Sequence, residues 1–164
     1  MIRMAGVEDA AALDSFFGQL DRETRFMLHE AGERPSDIAG QRRRLEAMAA
    51  APNQAMWLLE LAGEVQGFAA LLGGGLARNR HCALVVMGLR SRARGQGWGE
   101  RLLCTLIATA RDLGIHRLEL GVMAHALYRK CGFVEEGVRR QAYRLDEGYV
   151  DEIAVGLLLP LDRP

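Results

Sequence analysis

The stretch Arg94-Gly95-Gln96-Gly97-Trp98-Gly99 packs three glycines and a guanidinium into six residues. It lies between an apolar run, Ala83–Leu89, and a segment with apolar residues at helical spacing, Leu102, Leu103, Leu106, Ile107, Ala110 and Leu113. That order predicts strand, tight turn, helix. Such a turn aims several backbone N–H groups at one point, at the positive end of a helix dipole, and a point of that kind binds phosphate. Glycines suit it because a Cβ would block the approach of the backbone to a phosphate and because some turn positions need positive φ. Arg94 adds a guanidinium beside the turn, so a pyrophosphate is the expected guest. Other chemistries are poorly served. The four histidines, His29, His81, His116 and His125, show no metal-ligand spacing, and no metal is expected. Gly73-Gly74-Gly75 is followed by neither Lys-Ser nor Lys-Thr, so it reads as a hairpin connection and not a nucleotide loop.

The elements that must position the turn follow from apolar periodicity. Ile2–Met4 is a short first strand. A helix follows, with Glu8 and Asp9 in its first turn and Leu13, Phe16, Phe17 and Leu20 on one face; Gly18 weakens its end. Asp21–Arg34 is polar and irregular. Pro35-Ser36-Asp37 opens a second helix carrying Ile38, Leu45 and Met48, which stops before Pro52. Met56–Leu61 and Val65–Leu72 form a hairpin across Ala62-Gly63-Glu64, and His81–Leu89 is the strand before the glycine turn. The long helix closes on Gly114, Arg117–Val122 is a strand, and Ala124–Cys131 is a brief helix ended by Gly132. Phe133–Arg139 and Tyr149–Leu158 are strands joined across Asp146-Glu147-Gly148. The order predicts an α/β chain with a mixed sheet and helices on both faces, in which His81–Leu89 and Arg117–Val122 are parallel neighbours around the long helix.

Composition narrows the class. A chain of 164 residues with 49% hydrophobic and 26% charged residues fits one globular domain, residues 1–164. The formal net charge is zero, which argues against bulk binding to nucleic acid or an anionic membrane, and Arg42-Arg43-Arg44 reads as a solvated helix face. No apolar run approaches a bilayer span and no secretory core follows Met1. The three cysteines, Cys82, Cys104 and Cys131, read as reduced thiols with packing roles, consistent with a cytoplasmic location.

Three segments together resemble the GCN5-related N-acetyltransferases (GNAT family), which move an acyl group from acyl-CoA to an amine. The glycine turn matches the family's Arg/Gln-x-x-Gly-x-Gly/Ala signature. Leu127-Tyr128-Arg129-Lys130-Cys131-Gly132-Phe133 matches its Leu-Tyr-x-x-x-Gly-Phe segment. Glu135–Arg139 with Tyr149–Glu152 is similar to the last hairpin of many bacterial members, and Asp21-Arg22-Glu23-Thr24 adds an early match. The chain departs from the pattern once: Val122–Leu127 is about five residues shorter than usual and holds no Asn, which fits either a true deletion or missing residues.

The resemblance implies a central, largely antiparallel sheet with acetyl-CoA as co-substrate. Gly95, Gln96, Gly97, Trp98 and Gly99, with Arg94, would hold its pyrophosphate; Trp98 is expected to pack beneath the helix instead of touching substrate. Met87, Gly88 and Leu89 would pair with the pantetheine arm, and Gly88 fits a bulge or a close approach there. Tyr128 is implied as general acid to the departing thiolate. The base is open: Glu23 leads, with Glu30, Asp151 and Glu152 as alternatives. The implied acceptor is a small amine or free amino acid, with protein amines and a silent acyl-CoA-binding module as the other readings. Homodimers are common in the family.

Overall fold

The computed structural model describes residues 1–160. Seven strands form one sheet: β1 (Ile2–Met4), β2 (Gln54–Leu61), β3 (Glu64–Gly73), β4 (Cys82–Leu89), β5 (Arg117–Val122), β6 (Val134–Leu145) and β7 (Gly148–Leu158). Their order across the sheet is β1-β2-β3-β4-β5-β7-β6, and every neighbouring pair is antiparallel except β4 and β5. Helices α1 (Ala10–Glu23) and α2 (Ile38–Ala50) cover one face; α3 (Trp98–Asp112) and the short α4 (Ala126–Lys130) cover the other. This is the mixed, mostly antiparallel arrangement expected from the sequence.

Each core explains the pattern that produced it. On one face the rings of Phe16, Phe17 and Phe68 meet edge to face, with centroids 4.9–5.9 Å apart, under Leu13 and Leu20. Such aromatic contacts add to the area they bury. On the other, Leu102, Leu103, Leu106 and Ala110 of α3 pack on Leu71, Leu118 and Val155. β3 is buried from Val65 to Leu71 because helices press on both sides of it, so its residues do not alternate in character.

Several boundaries differ from those read in the sequence. Helix α1 runs past Gly18 to Glu23, so Asp21 and Glu23 are helical rather than irregular. Asp21 is buried and paired with Arg34, whose guanidinium also lies 4.8 Å from the Phe17 ring, and that contact explains the extra turn. The brief helix begins at Ala126, after a three-residue link from β5. β6 continues to Leu145, well beyond Arg139, through two irregularities in its pairing with β7; Gln141 takes φ 53° at one of them. The β2–β3 turn is made by Ala62 and Gly63, both at positive φ, as a two-residue hairpin demands.

The feature that matters for function is a ladder that stops. β4 and β5 pair at Cys82–Arg117, Ala83–Leu118 and Leu84–Glu119, and no further. Val85–Leu89 stay bonded to β3, while Leu120–Val122 stay bonded to β7, so the two strands part toward their C-terminal ends. The α3 crossover begins where they part.

Leu106 is fully buried at the middle of α3. Leu106→Ala should lower stability by about 2–5 kcal/mol, read from the urea midpoint of unfolding.

Candidate active site

The glycine turn sits at the open end of β4. Gly95 and Gly97 hold φ of 71° and 80°, with Gly97 at the N-cap of α3 in the left-handed region that a side chain would strain. Among the described residues, no carbonyl or side chain accepts from the amides of Gly95, Gln96, Gly97, Trp98, Gly99 or Glu100. Those six donors, together with the positive pole of a 15-residue helix, form a site suited to an anionic oxygen cluster. The cradle therefore fits a diphosphate. Gly99 serves packing as well: a Cβ there would come 3.2 Å from Leu89 and 3.3 Å from Leu127. Trp98 is half-buried at the helix start with the Arg101 guanidinium 5.1 Å from its ring.

Arg94 does not reach over the turn. Its Nε donates to the Leu89 carbonyl at 2.9 Å and its Nη1 to the Glu23 carbonyl at 3.3 Å. Glu23, at the end of α1, accepts from Arg90 Nε (3.0 Å), Arg90 Nη2 (2.8 Å) and the Ser91 amide (2.7 Å). Partial burial opposes its ionisation, yet the Arg90 guanidinium and the Ser91 amide outweigh that and hold the carboxyl below the usual carboxylate range. Glu23 thus straps α1 to the segment that leads into the glycine turn, with both of its oxygens engaged.

Between the parted strands lies a cavity of about 610 Å³. One wall is the free edge of β4 with Met87, Gly88 and Leu89; the facing wall is Leu120–Val122 and the link to α4. Gly88 makes no bulge: it pairs in register with Phe68, and the only irregularity of the β2–β3–β4 ladder lies at Leu59 and Glu60. Its missing Cβ instead admits Leu20, whose Cδ2 would lie 2.8 Å from it. Tyr128 also lines the cavity, its ring edge to face with Phe133 at 5.7 Å. Burial, with a smaller contribution from Cys131, pushes the phenol up to about 12. The short link between β5 and α4 therefore still delivers Tyr128 to the wall.

The other end of the cavity is roofed by the segment between α1 and α2, which supplies Phe26, Met27 and Leu28. Arg25 pairs with Glu147 in the β6–β7 turn, and Arg34 pairs with Asp21, so both ends of the roof are tied down. Asp14 accepts from Ser36 Oγ and the Asp37 amide, and Asp37 caps α2 through the Gly40 amide. Of the alternative bases, Glu30 is exposed away from the cavity wall, and Asp151 is exposed and accepts from the Gln141 amide. Glu152 is different. It is 6% exposed, lines the cavity, and accepts from Tyr143 Oη and from Arg139 Nη1 at 2.6 Å. Tyr143 drew no notice in the sequence, because its pairing with Glu152 depends on the irregular stretch of β6.

Two substitutions test this geometry. Gly97→Ala should cost about 1–2 kcal/mol of stability from the left-handed backbone alone, read from thermal unfolding. Glu23→Gln should cost about 1–3 kcal/mol near neutral pH, where wild-type Glu23 is ionised and bonded to Arg90. Because the carboxyl pKa is lowered in the folded chain, that advantage exists above about 4.5 and vanishes as pH falls through the folded value. Denaturation midpoints of wild type and variant should accordingly converge in acid.

The same architecture recurs in solved proteins. An acetyltransferase of the GNAT family from Streptococcus pneumoniae superposes with a TM-score of 0.92 at 28% identity, over 98% of this chain and 99% of that one. A ribosomal-protein-alanine N-acetyltransferase from Brucella melitensis gives 0.83 at 26%, over 97% and 99%. A phosphinothricin acetyltransferase from Sinorhizobium meliloti, solved with acetyl-CoA, gives 0.81 at 21%, over 97% and 88%, and shares the fold. A probable glucosamine 6-phosphate N-acetyltransferase of Oryza sativa subsp. japonica is 40% identical over 53 residues, 31% of this chain, which spans about a third of that relative's length, 32%. The family model for GNAT acetyltransferases matches residues 19–133, from the end of α1 through the glycine turn to Phe133, and the chain belongs to the acetyltransferase (GNAT) family.

Proposed function

We propose that residues 1–164 form one acyl-CoA-dependent N-acyltransferase domain, moving an acetyl group from acetyl-CoA directly to a primary amine of a small molecule or amino acid. One observation carries this reading: the six unpartnered amides around the glycine turn and the unpaired edge of β4 belong to one end of the chain's parted strands, beside a cavity deep enough for an acceptor. The amides of Gly95, Gln96, Gly97, Trp98 and Gly99 would hold the diphosphate. Met87, Gly88 and Leu89 would lie along the pantetheine arm, whose thioester supplies the acetyl group. Backbone donors on such a preorganised edge stabilise negative charge that develops on a carbonyl oxygen.

Arg94 keeps the turn in place through the Leu89 and Glu23 carbonyls. Glu23 is a positioning residue in this reading and not the base, because a carboxylate bonded to Arg90 and Ser91 is a poor proton acceptor. Tyr128 is the proton donor to the thiolate. A phenol near 12 stays protonated across the working range and is a weaker acid than a thiol of about 8.5. It therefore acts first as a hydrogen-bond donor to the developing thiolate; as the C–S bond breaks its proton passes to sulfur, and the proton lost by the neutral amine's nitrogen on forming the C–N bond restores the phenol.

Likeness to a ribosomal-protein-alanine enzyme favours a second reading, acetylation of a protein N-terminus. CoA release measured with amine monomers and with short peptides separates the two. Release with neither, from protein that binds acetyl-CoA by calorimetry, identifies a silent binding module instead. Tyr128→Phe should lower kcat by about 10- to 100-fold and leave the affinity for acetyl-CoA within about twofold. Wild-type kcat should show no alkaline limb from Tyr128 below about pH 10. Unchanged single-turnover rates in the variant remove Tyr128 from the chemistry.

A further inference from the structure

The cavity lining carries few charges. Among the described residues that line it, Glu152 is the one anion and Arg94 the one cation, and Arg94 has its Nε and Nη1 bonded to main-chain carbonyls. Nearby arginines are committed elsewhere: Arg25 to Glu147, Arg34 to Asp21 and Arg90 to Glu23. Most of the remaining lining is apolar, Leu28, Leu84, Val86 and Met123 among it, and the Tyr143 hydroxyl lies against Glu152.

Glu152 is a built feature of this wall. Tyr143 Oη donates to Oε1 and Arg139 Nη1 donates to Oε2, one bond to each oxygen, which leaves each with a free lone pair. The carboxylate rests on β5 at Gly121, where a Cβ would lie 2.2 Å from Oε1. Gly121 is thus the gap that seats the group. The Arg139 side chain is 73% exposed and stands outside the cavity lining, so the ion pair leaves the carboxylate facing the cavity without filling it. The carboxylate is already paired, and the lone pair left on each oxygen can accept from one further donor, such as an ammonium.

We infer that Glu152, seated over Gly121 and held by Tyr143 and Arg139, is the docking point for the acceptor's ammonium, and that the acceptor is an amine with an apolar flank and no carboxylate or phosphate. This rests on the transferase reading for its biological sense and specifies the substrate class of the same cavity. A phosphate or carboxylate on the acceptor would lie beside the Glu152 carboxylate, while the one cation of the described lining, Arg94, is held by the Leu89 and Glu23 carbonyls, an arrangement that costs several-fold in affinity.

The test compares 2-phenylethylamine and isoamylamine with their carboxylated counterparts phenylalanine and leucine, and with glucosamine 6-phosphate. Each is titrated into CoA-loaded protein by calorimetry and, separately, assayed for CoA release from acetyl-CoA. The inference expects the two plain amines to bind about tenfold or more tightly than the acidic compounds. Glu152→Gln should raise the dissociation constant and KM of the plain amines about tenfold or more while the CoA titration, a check on folding, stays within about twofold. Gly121→Ala should act in the same direction by displacing the carboxylate. Equal or better binding of the amino acids, with Arg139 gripping the carboxylate, or plain amines indifferent to Glu152→Gln, overturns the inference and leaves the transferase reading intact. Glu152-dependent binding without CoA release does the reverse. Absence of both binding and release defeats both.

Discussion

Every functional element of this chain depends on the ladder between β4 and β5 stopping after Leu84 and Glu119. A backbone edge inside a sheet is ordinarily satisfied by its neighbour, and buried N–H and C=O groups that lose a partner are costly. Here the free edge of Val85–Leu89 faces a cavity, so an extended ligand can add itself as the missing strand partner. The parallel crossover places the N-terminus of α3 at the mouth of the same gap. Strand edge and helix pole thereby lie at one opening of the sheet.

That arrangement is maintained by polar ties between elements distant in sequence. Glu23 joins the end of α1 to Arg90 and Ser91, and Arg94 joins the glycine turn back to Leu89 and Glu23. Asp21 with Arg34 and Arg25 with Glu147 hold the roof segment against α1 and the last hairpin. A carboxylate engaged by a guanidinium and a main-chain amide is a good rivet and a poor base. These charges fix geometry around the glycine turn, while Tyr128 and the Arg139-paired Glu152 line the cavity.

The glycine turn and the cavity differ in electrostatic character. At the turn, unpaired N–H donors and a helix pole favour anions. Among the described residues of the cavity lining, Glu152 is the one anion, and its carboxylate is bonded to Tyr143 and Arg139.

The amino-acid sequence alone determined the order and type of most elements, because hydrophobic periodicity and turn residues are local signals: α3 between Gly97 and Gly114, β5 at Arg117–Val122, and the Ala62-Gly63 hairpin are where the pattern puts them. It also determined the glycine turn, since a left-handed N-cap needs glycine whatever surrounds it. Tertiary structure alone decided the roles of the charged residues. Glu23 and Glu152 are alike in a string of letters, but one meets Arg90, 67 positions away, and the other lies over Gly121 under Tyr143. The extension of α1 to Glu23 came from the Asp21–Arg34 pair, and the length of β6 from irregular pairing with β7, neither of which leaves a local trace. Partners far apart in sequence set the surroundings of an ionisable group, and those surroundings decide whether it fastens the fold or faces a ligand.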